Sequence, residues 1–276
     1  RAYATQDYTG NTTIFRGADF AAIGNYFEIT NSIASPVIDV YGRLNLRGAG
    51  RVTNDAGLAN TNTVNLRPGG VLRLDYSLDV NDQIIVSRLN NSNLAIDNKW
   101  GDNTALVLDG AGLNMVAASQ HYTEEVVGQI TIKGGASILL ERNSTNGGIA
   151  LITNTGIVRD GLATFSIRVN ANELGLNQFQ SQRIYVNDPA WVAANTANGM
   201  LAPWMINATS QNFLRYDDLT GIIDMAFAAT GTGDTFLSGL TGTSIARYTA
   251  GDATLGGTRN VYALRIDHQA ASNDST

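Results

Sequence analysis

VNLRPGGVL, running from Val64 to Leu72, decides the reading of this chain. Val64 and Leu66 are apolar and Asn65 and Arg67 are polar, an alternation with the period of a strand that buries one face. Pro68, Gly69 and Gly70 follow as a corner, and Val71 and Leu72 open a second strand. The phrase recurs as LNLRGAGRV from Leu44, LVLDGAGLN from Leu106 and ITIKGGASI from Ile130. These starts lie 20, 42 and 24 residues apart. The long gap is two periods, with IIVSRLNNS from Ile84 as a degenerate copy near its middle, and ALITNTGIV from Ala150 continues the series. A period of about 20–24 residues falls in the range of solenoid repeats. Glycine pairs such as Gly69–Gly70 and Gly134–Gly135 sit where a sharp corner needs positive φ.

A single round of such a chain cannot bury its inward side chains, whereas stacked rounds about 4.8 Å apart can. The expectation is therefore an all-β chain, a parallel β-helix with ladders of Leu, Val and Ile inside and Asn and Thr outside. Residues 1–175 and 251–276 are expected to form coils, with an irregular insertion over 176–250 packed on them. A β-sandwich shares the short alternating strands but does not need the same phrase each time. The stretch PAWVAANTANGM, Pro189–Met200, is the one helical-looking segment, with Pro189 in the first turn and Gly199 as its stop.

Composition agrees with this reading. Of the 276 residues 43% are hydrophobic and only 15% charged, against roughly 25% in an average soluble domain. Four prolines are few, as expected where nearly every strand donates to a neighbour. The net charge of −6 and the absence of a basic stripe argue against a nucleic-acid partner. No run approaches the ~20 apolar residues of a membrane span. Cysteine is absent, so backbone ladders rather than disulfides must hold the fold. The opening RAYATQDYTG carries no apolar leader and neither end shows a cap, which reads as an internal piece of something longer.

The phrases and their order resemble the bacterial autotransporter-associated β-strand repeat proteins. YTGNTTIFRGADF (Tyr8–Phe20) is similar to that family's opening phrase, with Asn11 where a second glycine usually stands. DNTALVLDGAGLNMVAAS (Asp102–Ser119) and EEVVGQITIKGGASILLE (Glu124–Glu141) look like its strand, corner, strand units. GMLAPWMINATSQNFLRYDDLTGI (Gly199–Ile222) looks like its Pro-Trp interruption, and DATLGGTRNVYALRID (Asp252–Asp267) like re-entry into the coil. The resemblance implies a right-handed parallel β-helix, export to the cell surface, and a structural or adhesive role. It carries over no catalytic residues.

Chemical sites are sparse. His121 and His268 lie in different segments without metal-ligand spacing, and no nucleophile elbow, HExxH or phosphate loop occurs. No cofactor and no metal are expected, and the chain is read as a non-enzyme. A carbohydrate-active β-helix enzyme is the alternative, since such enzymes converge carboxylates on one face. Its candidates are Arg215, Asp217, Asp218 and Asp224, or Asp75, Asp79 and Asp82. A glycan-binding adhesin is the other, with Trp191, Trp204 and Tyr216 as ligand-binding residues near Phe213. Against it stands a small aromatic core where the insertion packs. The partners implied are further copies stacked end to end, the rest of a longer chain, and surface glycans.

Overall fold

The computed structural model describes residues 10–24, 35–48, 63–77, 103–118, 122–142, 148–170, 174–175, 181–227, 229–249, 258 and 260–267. The chain divides into two compact units, Arg1–Asp224 and Met225–Thr276.

In the first unit the chain passes repeatedly from one sheet to the next. Among the described residues the early rounds give β1 (Thr12–Ile14) and β2 (Asp19–Gly24), β3 (Val37–Val40) and β4 (Arg43–Gly48), β5 (Thr63–Leu66) and β6 (Val71–Asp75). The later rounds give three: β7 (Ala105–Asp109), β8 (Gly112–Val116) and β9 (Tyr122–Val127); β10 (Ile130–Lys133), β11 (Gly135–Glu141) and β12 (Gly148–Thr153); β13 (Ile157–Arg159), β14 (Thr164–Val169) and β15 (Gln182–Val186). The strands pair in parallel with their counterparts one round away. One sheet has the order β1-β3-β5-β7-β10-β13, a second runs β2-β4-β6-β8-β11-β14, and a third is β9-β12-β15. The fold is thus mostly β with parallel sheets.

Register makes the core. Ile14, Val40, Leu66, Leu108 and Ile132 stand in one column of the first sheet, and all are buried. Leu44, Leu72, Leu113, Ile138 and Ile167 form the matching column of the second. A one-residue slip would turn either column outward, so the alternation fixes the pairing. Outside, Asp39 accepts hydrogen bonds from Asn65 Nδ2 at 3.1 Å and Arg67 Nε at 2.8 Å on the next round. The outer ladder there is charged as well as polar.

The corners stack too. Val71 N donates to Gly42 O, Gly112 N to Gly70 O, Ser137 N to Ala111 O and Thr164 N to Gly134 O, at 2.9–3.1 Å. Gly134 has φ +62°, a left-handed value that suits glycine, and its N-terminal neighbour Lys133 accepts from Gly110 N at 2.9 Å. At Gly70 the constraint is space, since an added Cβ would sit 2.1 Å from Val40 O on the round before.

The repeat is longer than the phrase alignment implies. Val64, Leu106 and Ile130 are register partners as expected. Leu44 is not their partner: it belongs to the second sheet, and Val64 stacks on Ile38. Ala150 lies in the third sheet, while Ile130 stacks on Ile157. The steps along the first sheet, from Ile38 through Val64, Leu106, Ile130 and Ile157, are therefore 26, 42, 24 and 27 residues. Every side of a round carries the same apolar-x-apolar signal, so the phrase alone cannot say which sheet it enters. The segment at Ile84 lies outside the described residues.

The third sheet departs from an all-apolar interior. Its inward positions include Thr123, Glu125, Thr153 and Gln182, all fully or almost fully buried. Each is held by hydrogen bonds: Ala118 N donates to Thr123 Oγ1 at 3.3 Å, Tyr76 Oη donates to Glu125, Thr153 Oγ1 donates to Gly128 O at 2.6 Å, and Gln182 Nε2 donates to Asn170 Oδ1 at 2.7 Å. Buried polar groups persist where such partners exist.

Parallel pairing runs on past residue 175, the expected start of the insertion. β15 extends the third sheet, and β18 (Met205–Asn207) pairs in parallel with β14. Between them lie α1 (Pro189–Asn195) and the small hairpin β16 (Thr196–Ala197) and β17 (Met200–Leu201). Asp188 caps α1 by accepting from Ala190 N at 2.9 Å, with Pro189 in the first turn as expected. Gly199 does not stop the helix. It forms the hairpin turn with Asn198, at φ +76° and +52°, because Asn-Gly suits the two left-handed positions of a tight hairpin.

Antiparallel strands then cover the last round. β19 (Asn212–Asp217) pairs with β18, and β20 (Gly221–Asp224) pairs back on β19. Tyr216 Oη donates to Val186 O at 3.0 Å and accepts from Val186 N at 3.2 Å, fastening the hairpin over β15. Trp191 Nε1 donates to Ile157 O at 2.7 Å on the far side of β13. This end of the stack is covered by ordinary aromatic and turn residues that composition does not distinguish; the outermost residues at the two chain ends, read as uncapped, lie outside the described residues.

The second unit has its own parallel sheet, β21 (Ala229–Gly231), β22 (Ile245–Tyr248) and β23 (Ala263–Ile266), with α2 (Gly233–Ser238) between the first two. Parallel pairing is thus under way well before residue 251. Arg247 Nε at 2.6 Å and Arg265 Nε at 2.5 Å both donate to Asp267 beyond its last strand.

Truncating an inward rung should be far more costly than truncating its outward neighbour. Leu108→Ala is expected to lose about 2–5 kcal/mol of unfolding free energy. Val107→Ala, on the same strand but half-exposed, should lose less than about 1 kcal/mol. Urea unfolding of the two variants measures the difference.

Candidate functional site

Two open grooves hold two of the three aromatic candidates. The first lies on the outer face of the second sheet. Its floor is two outward columns: Gly135 beside Thr164, and Ser137 beside Ser166. The wall comes from the turn Ala202-Pro203-Trp204-Met205, closed by Met205 N donating to Ala202 O at 3.0 Å. Proline at the second position of such a turn has the φ the turn requires. Phe165 N donates to Trp204 O at 2.9 Å, which docks the turn onto the start of β14. Trp204 is half-buried against the core and lines the groove with Pro203, Phe165 and Ile206. The groove has a volume of about 420 Å³. The Arg159 guanidinium carbon lies over the indole, 5.7 Å from the ring centroid.

The second groove, about 410 Å³, lies where α1 meets the hairpin and is lined by Val186, Pro189, Val192, Ala193, Thr196, Tyr216 and Asp218. The Tyr216 hydroxyl is committed to the Val186 backbone, and burial raises its pKa above the usual tyrosine range. It holds the fold here while the residue also lines the groove.

Trp191 lines neither groove. It is 7% exposed, its indole lies against Gly156, and its N–H is spent on Ile157 O. Gly156 has φ +92°, and an added Cβ would fall 2.4 Å from the indole carbons. Trp191 is therefore a packing residue over β13, which agrees with the aromatic-core reading weighed for this segment.

The described carboxylates raised for an enzyme are each engaged in separate turns and pairs. Asp217 accepts from Leu219 N and Thr220 N at 3.0 Å and Thr220 Oγ1 at 2.9 Å, closing the β19–β20 turn. The Thr220 hydroxyl, followed by the Leu219 amide, holds its pKa below the usual carboxylate value. Asp224 accepts from Asn207 Nδ2 at 2.7 Å and Asn212 Nδ2 at 3.0 Å. Asp75 accepts from Ser77 N at 3.0 Å and from Arg73 Nε at 3.4 Å. Arg215 reaches Asp217 at 3.6 Å, and Asp218 borders the second groove. Asp79, Asp82, His121 and His268 lie outside the described residues. Among the described residues no three of His, Cys, Asp or Glu are grouped as metal ligands would be.

A further polar cluster, not raised from the sequence, lies on the outer face of the third sheet. Arg183, 4% exposed, donates to Ser181 Oγ and, through Nη1 at 2.5 Å, to Tyr185 Oη, which donates to Leu219 O at 2.9 Å. Nearby, burial and then the charge of Glu124 push the Tyr122 pKa up. Gly148 and Ala150 lie between the two rounds, and both are buried. Arg183 is buried within the cluster, while Tyr185 and Glu124 at its edge are partly exposed. The small residues Gly148 and Ala150 were its only signal in the sequence.

Two outcomes follow. Trp191→Phe keeps the ring but orphans the Ile157 carbonyl, and should cost about 1–3 kcal/mol in urea unfolding. The Asp217 carboxyl should titrate below the ~3.9 of an unfolded aspartate. Its support of the β19–β20 turn is then fully present above that unfolded value and lost as the pH falls through the lowered one; a side-chain carboxyl NMR titration reads it. Comparison with family models, with curated proteins and with solved structures gives no match to this chain, so the site rests on its own geometry.

Proposed function

We propose that the first unit is a right-handed parallel β-solenoid, and that the chain is a structural or adhesive segment of an exported bacterial surface protein. One observation carries the reading: the strands of successive rounds stack in register across three sheets, with hydrogen-bonded corners between the first two. Right-handed winding follows the hand that parallel crossovers adopt in nearly all proteins. A stack of this kind has backbone bonds perpendicular to each strand along its whole length, so it resists local opening and proteolysis. Those are the properties of a stalk or a fibre segment. The low charge, the phrases similar to autotransporter-associated repeats and the lack of converging carboxylates among the described residues support the same reading over a carbohydrate-active enzyme. No helix of the described residues is long and apolar enough to cross a membrane.

Association within a longer chain is the form of partnership we keep. Stacking another copy beyond β15 would displace the Tyr216 hairpin and strip Val186 of both its bonds.

The proposal is tested on cells of the native source. Proteinase K added to intact cells should remove the polypeptide that bears this segment from whole-cell blots while sparing cytoplasmic markers. The excised stretch up to Asp224 should persist in the supernatant as a resistant fragment. Protection in intact cells and loss only after lysis would overturn the surface assignment. Rapid digestion throughout would overturn the solenoid.

A further inference from the structure

We infer that the Trp204 groove is a binding site for a neutral saccharide. The inference supplies a ligand for the adhesive role proposed above and rests on that reading for its biological setting alone.

The lining is two-sided. One wall is apolar, made of Trp204, Pro203 and Ile206, and the floor carries the hydroxyls of Ser137, Thr164 and Ser166. Among the described residues no charged side chain lines it. Among the described residues Ser137 Oγ and Thr164 Oγ1 make no hydrogen bond, and Ser166 Oγ reaches only Ala136 O, at the 3.5 Å limit. Such groups are solvated and free to exchange water for a ligand. The floor is also cut low. Gly135 stands in the column of Thr164, and Gly112 in the column of Ser137 and Ser166, so the outward face recedes beside the indole.

The chemistry of the occupant follows. A pyranose has an apolar C–H face that packs against a wall such as Trp204, Pro203 and Ile206, and a rim of hydroxyls that both donate and accept. Serine and threonine hydroxyls match that rim because they also do both. A peptide would need backbone donors and acceptors, but the amides of β11 and β14 are already spent on the ladder. A nucleotide or other anion would need an uncommitted cation. Arg159, which does not line the groove, lies over the Trp204 ring and donates through Nε to Ala163 O at 2.7 Å. A lipid tail would leave three hydroxyls unsatisfied. A neutral sugar with equatorial substituents matches both the apolar wall and the hydroxyl floor.

The test is titration calorimetry of the whole chain with cellohexaose, chitohexaose and a β-1,4-galactan hexamer. At least one should bind at millimolar concentration or better. Trp204→Ala should weaken it by ~10-fold or more, as expected for loss of an aromatic stacking partner. Trp204 also packs on the core, so a second variant guards against misfolding: Thr164→Glu, at an exposed position, should keep the melting temperature and abolish binding. Tyr216→Phe, in the other groove, should bind as the parent does. Failure of all three sugars to bind, binding that survives Thr164→Glu, or tighter binding of polygalacturonate would each overturn the inference. None of these results bears on protease resistance, so the solenoid reading stands or falls separately.

Discussion

The structure depends on one constraint, the in-register hydrogen bonding of each strand to the same strand one round away. A parallel ladder leaves an edge unsatisfied until the next round arrives, and each round therefore templates its successor. Once register is set, the period of two does the rest. Leu66 must lie over Val40 and under Leu108, and the inner column closes without further specification. The number of residues between successive partners is then free to vary, and steps of 24 and 42 residues coexist in one sheet.

The same constraint explains the corners and the end. A corner that must itself bond to the corner above tolerates little side chain, so Gly70 and Gly134 stand where the backbones of neighbouring rounds nearly touch. At the far end the edge must be dealt with differently. The chain turns antiparallel at β18–β19, Tyr216 takes both bonding groups of Val186, and Trp191 takes the Ile157 carbonyl. Two aromatics that look alike in the sequence as ring donors are fasteners. Trp204, which follows a proline turn, is the one whose ring both lines a groove and stands beside free hydroxyls.

Much of this was legible beforehand. The alternation around Val64, Leu106 and Ile130 placed those residues in one column, and Pro189 placed the first turn of a helix. The phase of the repeat was not legible, because Leu44 and Ala150 carry the same local signal on other sheets. Neither was the polar interior of the third sheet. In TEEVV the two glutamates differ only in which face the pleat gives them, and only the fold brings Tyr76 to Glu125 from 49 residues away.

Sequence by itself determined the strand period, the glycine corners and the parallel all-β class, because these depend on neighbours two or three residues apart. Tertiary structure decided which strands share a sheet, which aromatics are spent as fasteners and which hydroxyls stay free, because those depend on contacts 20 to 40 residues away along the chain. The groove at Trp204 exists only because a turn at 202–205 lands on a strand that begins at Thr164.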